Sequence, residues 1–240
     1  MKQRYYLLDA FRGASMIAVI IYHVFWDLAN VVCLPMPWFE SATAFAIQRT
    51  LRWCFVFLAG FCCAMGKHPV KRGLVLLGCS WVVTLVTTWT GSPVVFGVLT
   101  FLGSATLISA LWRKLLRDRV FPVWVSCLGL GLCLVCFILT NRLETGYLLD
   151  RAMPGSLYAN DFTAYLGFPP ISFRSEDYVP LIPWLFAYGT GYWCYQIFAR
   201  CHWMGIFTKG RVHTLEYIGR HSLFFYLVHQ PIIYGIIWML

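Results

Sequence analysis

Apolar residues fall in long blocks separated by short polar or basic stretches, and seven blocks approach the roughly 20 residues a helix needs to cross a bilayer. They run Ala14 to Leu34, Phe45 to Gly66, Gly73 to Trp89, Pro93 to Trp112, Val120 to Thr140, Val179 to Ala199 and Ser222 to Leu240. The pattern predicts an all-α, polytopic transmembrane helix bundle of about seven spans in one domain, residues 1–240. The longest break, Asn141 to Tyr178, predicts a loop at about 141–178; connections this long are uncommon and often serve as lids or binding loops. No internal repeat is visible, which speaks against a transporter built on inverted repeats.

Charge orients the pattern. Placing the N-terminus in the cytoplasm puts Lys2, Arg4, Arg12, Lys67, Lys71, Arg72, Arg113, Lys114, Arg117, Arg119, Arg200, Lys209, Arg211 and Arg220 there, 14 of the 19 basic residues. Basic loops stay inside, so the C-terminus is predicted outside and the 141–178 loop extracytoplasmic. Acidic residues run the other way: Asp27, Glu40, Glu144, Asp150, Asp161, Glu176 and Asp177 lie toward the outside, against Asp9, Asp118 and Glu216 inside. An anion therefore suits the cytoplasmic face, and a cation or a neutral polar group the outer one.

Composition excludes a soluble alternative. The chain is 60% hydrophobic and 12% charged, whereas soluble domains carry roughly 25% charged residues. Lys2 and Arg4 ahead of an apolar run resemble a secretory signal, but the run continues past Leu28 without a small-residue cleavage site, so it is expected to stay as the first helix. Of the ten cysteines, eight lie inside apolar runs, where free cysteine behaves as a small hydrophobe. Cys133 and Cys136 have a C-x-x-C spacing without a histidine neighbour, which reads as packing; no metal is expected.

Ionisable groups at membrane depth are costly and mark function. In the first helix, the 11 residues from Arg12 to His23 turn to within about 20° of a whole number of turns, and Asp27 lies about 40° further on, so all three share one face. His23 then stands roughly 16 Å above Arg12, near the midplane. A neutral imidazole is the natural general base near neutral pH, and Asp27 at i+4 would orient it or fix the incoming nucleophile; the plainer reading is that His23 hydrogen-bonds a neighbouring helix. In the second span, Gln48, Arg49 and Arg52 fall in the outer half; Arg52 is expected to neutralise Asp27, and Arg49 to reach the outer headgroups. In the last span, Ser222, Tyr226 and His229 share a face at i, i+4, i+7, followed by Gln230-Pro231, where a bend beside the histidine and a simple packing kink both stay open. Two midplane histidines on different helices suggest one buried polar site.

Leu8-Asp9-Ala10-Phe11-Arg12-Gly13, the Arg12-x10-His23 spacing, Phe57-Leu58-Ala59-Gly60, Phe96-Gly97-Val98-Leu99, Asp177-Tyr178-Val179-Pro180-Leu181-Ile182-Pro183-Trp184, Gly219-Arg220-His221-Ser222-Leu223 and Tyr226-Leu227-Val228-His229-Gln230-Pro231 occur in order along nearly the whole chain. Together they resemble the heparan-α-glucosaminide N-acetyltransferase catalytic-domain family, part of a broader superfamily of transmembrane acyltransferases that modify surface glycans. The resemblance implies transfer of an acyl group, in particular acetyl, from cytoplasmic acyl-coenzyme A to an amine or hydroxyl of an extracytoplasmic glycan-type acceptor, with His23 central. Where relatives are expected to carry a histidine after Phe-Gly-Val-Leu, this chain has Thr100.

Under that scheme the catalytic residues are His23, Asp27 and His229. The polyanionic donor would meet Arg12, Lys71, Arg72 and Arg220. The acceptor would meet Asp161, Tyr165 and Asp177 of the outer loop, together with Arg52 and Gln230. The expected partners are the lipid bilayer, acyl-coenzyme A and an extracytoplasmic sugar or amine; a homodimer is left open and no nucleic acid is expected. The expected location is a bacterial cell (inner) membrane. Two other classes compete: a proton-coupled transporter or exporter relaying through Asp27, His23 and His229, and a non-catalytic membrane subunit with a structural polar core.

Overall fold

The computed structural model describes residues 4–239; Lys2 of the basic N-terminus and Leu240 at the end of the last expected span lie outside them. Each of the seven apolar blocks forms a long helix. These are α1 (Tyr6–Asn30), α2 (Ala42–Cys63), α3 (Pro69–Trp89), α4 (Val98–Leu115) and α5 (Val123–Thr140), then, after a short α6 (Asp161–Leu166), α7 (Leu181–Arg200), and, after a short α8 (His213–Arg220), α9 (Ser222–Ile237). Four of them, α1, α2, α3 and the α5 segment, are both long and apolar enough to cross a membrane on those criteria alone, and α9 is a shorter apolar helix. The protein is an integral membrane protein, mostly helical.

Two boundaries moved for identifiable reasons. Helix α1 starts at Tyr6 rather than Ala14, so Arg12 is a helical residue and the face it shares with His23 and Asp27 is continuous. Helix α4 starts at Val98 rather than Pro93 because the chain from Pro93 pairs with the end of the long loop: Glu176 N–H donates to Pro93 O at 3.2 Å, Val179 N–H to Phe96 O at 3.0 Å, and Ser175 Oγ to Val95 O at 2.8 Å. Phe96 turns the corner in the left-handed region, φ 53°.

The chain divides into two compact units, one of Met1–Phe55 with His202–Leu240 and the other of Val56–Cys201. In the first, α1 packs on α8 and α9. The α1–α8 crossing is backbone against backbone: a Cβ on Gly13 would lie 2.0 Å from Leu215 O, and one on Gly219 1.8 Å from Asp9 O. Small residues permit such close crossings where no hydrophobic drive between helices exists. Helix α9 runs through Pro231 without ending.

In the second unit, α3 packs on α4 and α5 on α7. Helix α7 also meets the end of α2, where a Cβ on Gly60 would lie 1.9 Å from Tyr188 O; this gives the Phe-Leu-Ala-Gly motif a packing reason. All ten cysteines are free thiols, and Cys133 Sγ lies against Gly189 between α5 and α7. The 141–178 loop contains short elements of its own. It holds 3-10 turns at Leu143–Thr145 and Gly155–Tyr158, a hairpin of β1 (Tyr147–Leu148) and β2 (Arg151–Ala152), and α6, which Asn160 caps by accepting from Thr163 N–H at 3.0 Å.

Candidate active site

Two contacts tie α1 to α9. Arg12 donates through Nη2 to Ser222 Oγ at 2.9 Å, and higher up the His23 and His229 rings face each other with centroids 5.0 Å apart. Both contacts ascend in the same residue order, so the two helices run parallel. Between them lies the face the sequence picked out: Arg12 at one end, the imidazole pair further along, and Asp27 with Gln230 one turn beyond.

The tautomer of His229 follows from its partner. Nδ1 lies 2.6 Å from Tyr226 O; a carbonyl only accepts, so Nδ1 carries the proton and Nε2 is the basic nitrogen. His229 is buried and His23 is half-buried on α1. The pair can therefore hold and pass a proton away from bulk water.

Asp27 is fully buried, 0% exposed. The Gln230 amide approaches its carboxylate without forming a bond of normal geometry, and among the described residues neither carboxylate oxygen has a hydrogen-bond partner. Arg52, expected to neutralise Asp27, forms no ion pair with it among the described residues. Uncompensated burial of an ionised carboxylate is costly, so Asp27 must carry a proton or meet a cation.

The Arg12 end is cationic but partly self-neutralised. Arg12 Nη1 lies 3.6 Å from Asp9 Oδ1 and Arg4 Nε 3.6 Å from Asp9 Oδ2. Arg220 is exposed and 3.9 Å from the buried Glu216, while Arg211 stacks its guanidinium 4.2 Å from the Tyr6 ring centroid. Helix α8, which carries Glu216 and Arg220, was not expected. Its signals were Leu215 and Ile218 at helical spacing and the Gly219 that lets α1 approach, too few in eight residues to stand out.

A second element was also missed. The 3-10 turn Pro37–Glu40 folds onto the C-terminal part of α1, its Phe39 ring 5.4 Å from Tyr22 and its Trp38 ring 5.4 Å from Phe25. An aromatic Trp-Phe pair after Pro37 was the visible signal.

The remaining candidates belong to the other unit. Lys71 and Arg72 are exposed in the first turns of α3. Asp161 is exposed at the start of α6. Tyr165 packs on Phe96 at 5.4 Å, and Phe96 stacks on Phe173 at 6.1 Å. Asp177 sits at the N-terminus of α4, Oδ2 accepting from Val98 N–H at 3.4 Å, where a carboxylate complements the helix dipole. Tyr165 and Asp177 thus have structural work in holding the loop to α4. The Tyr178 hydroxyl donates to Ala164 O, and burial pushes its pKa above the ordinary phenol range, which keeps it a donor. Thr100 hydrogen-bonds Ser80 between α4 and α3, so this position carries a neutral hydroxyl pair.

A helical membrane protein with a cationic end, an imidazole pair shared by two helices and a buried carboxylate has the parts of a proton-transferring membrane enzyme. The chain belongs to the family described as heparan-alpha-glucosaminide N-acetyltransferase, catalytic, whose family model matches residues 4–231. That membership makes it a membrane acetyltransferase. Neither a curated protein nor a solved structure matches it.

Proposed function

We propose that the protein takes an acetyl group from cytoplasmic acetyl-coenzyme A and delivers it to an amine or hydroxyl of an extracytoplasmic, glycan-type acceptor. The observation that carries this reading is the facing of His23 and His229, 5.0 Å apart, on two helices that Arg12 and Ser222 tie together. The donor nucleotide lies at the cationic end near Arg12 and Arg220, and Lys71 and Arg72 add charge on the same side of the membrane. The pantetheine arm extends along the face, because the roughly 16 Å between Arg12 and His23 suits its length. The acceptor arrives from the acidic outer side and gives a proton to the imidazole pair as it attacks the thioester carbonyl; Arg52, Asp161, Tyr165 and Asp177 are the residues proposed to bind it. The setting is a bacterial cell (inner) membrane.

The two-sided scheme takes the seven long helices as seven crossings. Parallel α1 and α9 need an odd number of crossings between them, and α2, α3, α4, α5 and α7 provide five. With the N-terminus in the cytoplasm, reporters fused at Lys114 and at Asp161 should register on opposite sides, Lys114 inside; both on one side rules the crossings out.

The central experiment is transfer of labelled acetyl from acetyl-coenzyme A by the purified protein in nanodiscs. Arg12→Ala should raise the donor KM by about tenfold or more, the loss of one charge-assisted contact, with a smaller effect on acceptor KM. An unchanged donor KM counts against Arg12 as anchor. Substrate-driven proton flux in liposomes without coenzyme A would instead favour a transporter relaying through Asp27, His23 and His229.

A further inference from the structure

We infer that the stretch from Trp203 to Tyr217 is an interfacial segment, in which Lys209 and Arg211, with the apolar side chains around them, bind the headgroup of an anionic phospholipid. Such a site requires only a chain embedded in a bilayer, and so stands or falls apart from the acetyl-transfer reading above.

One side of the segment is covered and the other is open. It begins with a 3-10 helix, Trp203–Thr208, that packs on α1, and ends in α8, which buries Glu216 and Gly219. The same stretch leaves Trp203 51%, Ile206 55% and Val212 49% exposed. Side chains three apart in a 3-10 helix eclipse, so Trp203 and Ile206 share one edge. Lys209, at the end of that helix, is exposed and joins no ion pair among the described residues. Arg211 is fixed instead: its guanidinium lies 4.2 Å from the Tyr6 ring centroid, and its Nε 3.8 Å from Oε1 of the buried Glu216. The carboxylate anchors the guanidinium from the covered side, and its outer N–H groups stay open to a ligand.

Charge and depth choose the ligand. Among the described residues at this end of the unit, Arg4, Arg12, Lys209, Arg211 and Arg220 meet the carboxylates of Asp9 and Glu216, so positive charge remains after every ion pair is made. Depth follows from the chain: one residue after α8 comes the apolar α9, whose Phe224 is exposed in its first turn. The Tyr217 ring lies 4.8 Å from His221 and 6.3 Å from Phe225. Exposed Tyr217 thus stands at the head of an apolar helix surface, where tyrosine marks the water boundary of a bilayer. A free phosphate would neutralise Lys209 and Arg211 but leave Trp203, Ile206 and Val212 in water. A second copy of the chain would bring the same cations to the face. An anionic phospholipid meets both requirements in one molecule: its phosphate accepts from the guanidinium and ammonium, and its glycerol and upper acyl carbons cover the apolar edge. Phosphatidylcholine carries the same phosphate with a cation of its own, so net charge separates the two lipids.

The test titrates the full-length protein in detergent micelles with phosphatidylglycerol and with phosphatidylcholine, and counts bound lipid by native mass spectrometry. Phosphatidylglycerol should bind about tenfold or more tighter than phosphatidylcholine. Lys209→Ala and Arg211→Ala should each cost about fivefold in phosphatidylglycerol affinity, the worth of one basic residue at a membrane surface, and nothing in phosphatidylcholine affinity. Lys209 has no ion pair to lose, so Lys209→Ala decides the matter if Arg211→Ala fails to fold. Trp203→Ser should weaken both lipids to the same degree. Inorganic phosphate and glycerol 1-phosphate, matched in concentration to the lipid, should not displace it. Equal affinity for the two lipids, an unchanged phosphatidylglycerol affinity in folded Lys209→Ala, or displacement by either soluble phosphate overturns the lipid site. A lipid-free dimer that Trp203→Ser dissociates would overturn it too, by giving the face to a second copy of the chain.

Discussion

His23→Ala is expected to lower acetyl transfer by about 10²–10⁴-fold, the range for loss of a general base, while the folded protein still binds acetyl-coenzyme A. The separation follows from position: the donor's phosphates belong to the Arg12 end, roughly 16 Å away, and the truncation removes only the ring facing His229 at 5.0 Å. Two measurements check it, the rate per folded protein and the rise in thermal midpoint on adding acetyl-coenzyme A. His229→Ala provides the comparison, because the Tyr226 carbonyl fixes His229 with Nε2 as its basic nitrogen. A deeper loss at His229 than at His23 would move the base to α9 and make His23 its proton partner. A native rate in well-folded His23→Ala would remove His23 from the chemistry.

The helices were legible because each of the seven apolar runs is long enough to form one helix, and four of those helices are long and apolar enough to cross a membrane. The Arg12–His23–Asp27 face was legible for a similar reason: helical periodicity is a local property, and α1 is regular from Tyr6 to Asn30. What the pattern could not show was whatever depends on a partner distant in sequence. Asp177, read as an acceptor-binding carboxylate, also lies beside Val98 N–H, 79 residues away in the chain. Arg52 looked like the counter-charge for Asp27, but opposite charges on different helices meet only if both side chains point the same way, and no ion pair joins these two among the described residues. Helix α8 is too short for periodicity to reveal, and its role lies in a glycine whose meaning depends on Asp9.

That glycine supports the second large prediction. Gly219→Ala should destabilise the protein by about 1–3 kcal/mol or more and strongly reduce transfer, although alanine in a helix interior normally stabilises by up to about 1 kcal/mol relative to glycine. The sign reverses because the added Cβ would fall 1.8 Å from Asp9 O and 2.9 Å from Gly13 N. Those are backbone atoms inside α1 and cannot rotate away as a side chain would. Relief comes only by moving α8 off α1, and α8 ends at Arg220, two residues before the Ser222 that receives the Arg12 hydrogen bond. The displacement therefore reaches the start of α9 and, through it, the register of His229 against His23. Gly235→Ala on α9 is the control, since nothing lies within 4 Å of its added Cβ; it should be neutral or mildly stabilising and fully active. Thermal midpoints followed with a thiol-reactive dye suit this comparison, because all ten cysteines are free and the buried Cys63 becomes reactive on unfolding. If Gly219→Ala were as stable and active as Gly235→Ala, the α1–α8 contact would not be what sets the two histidines face to face.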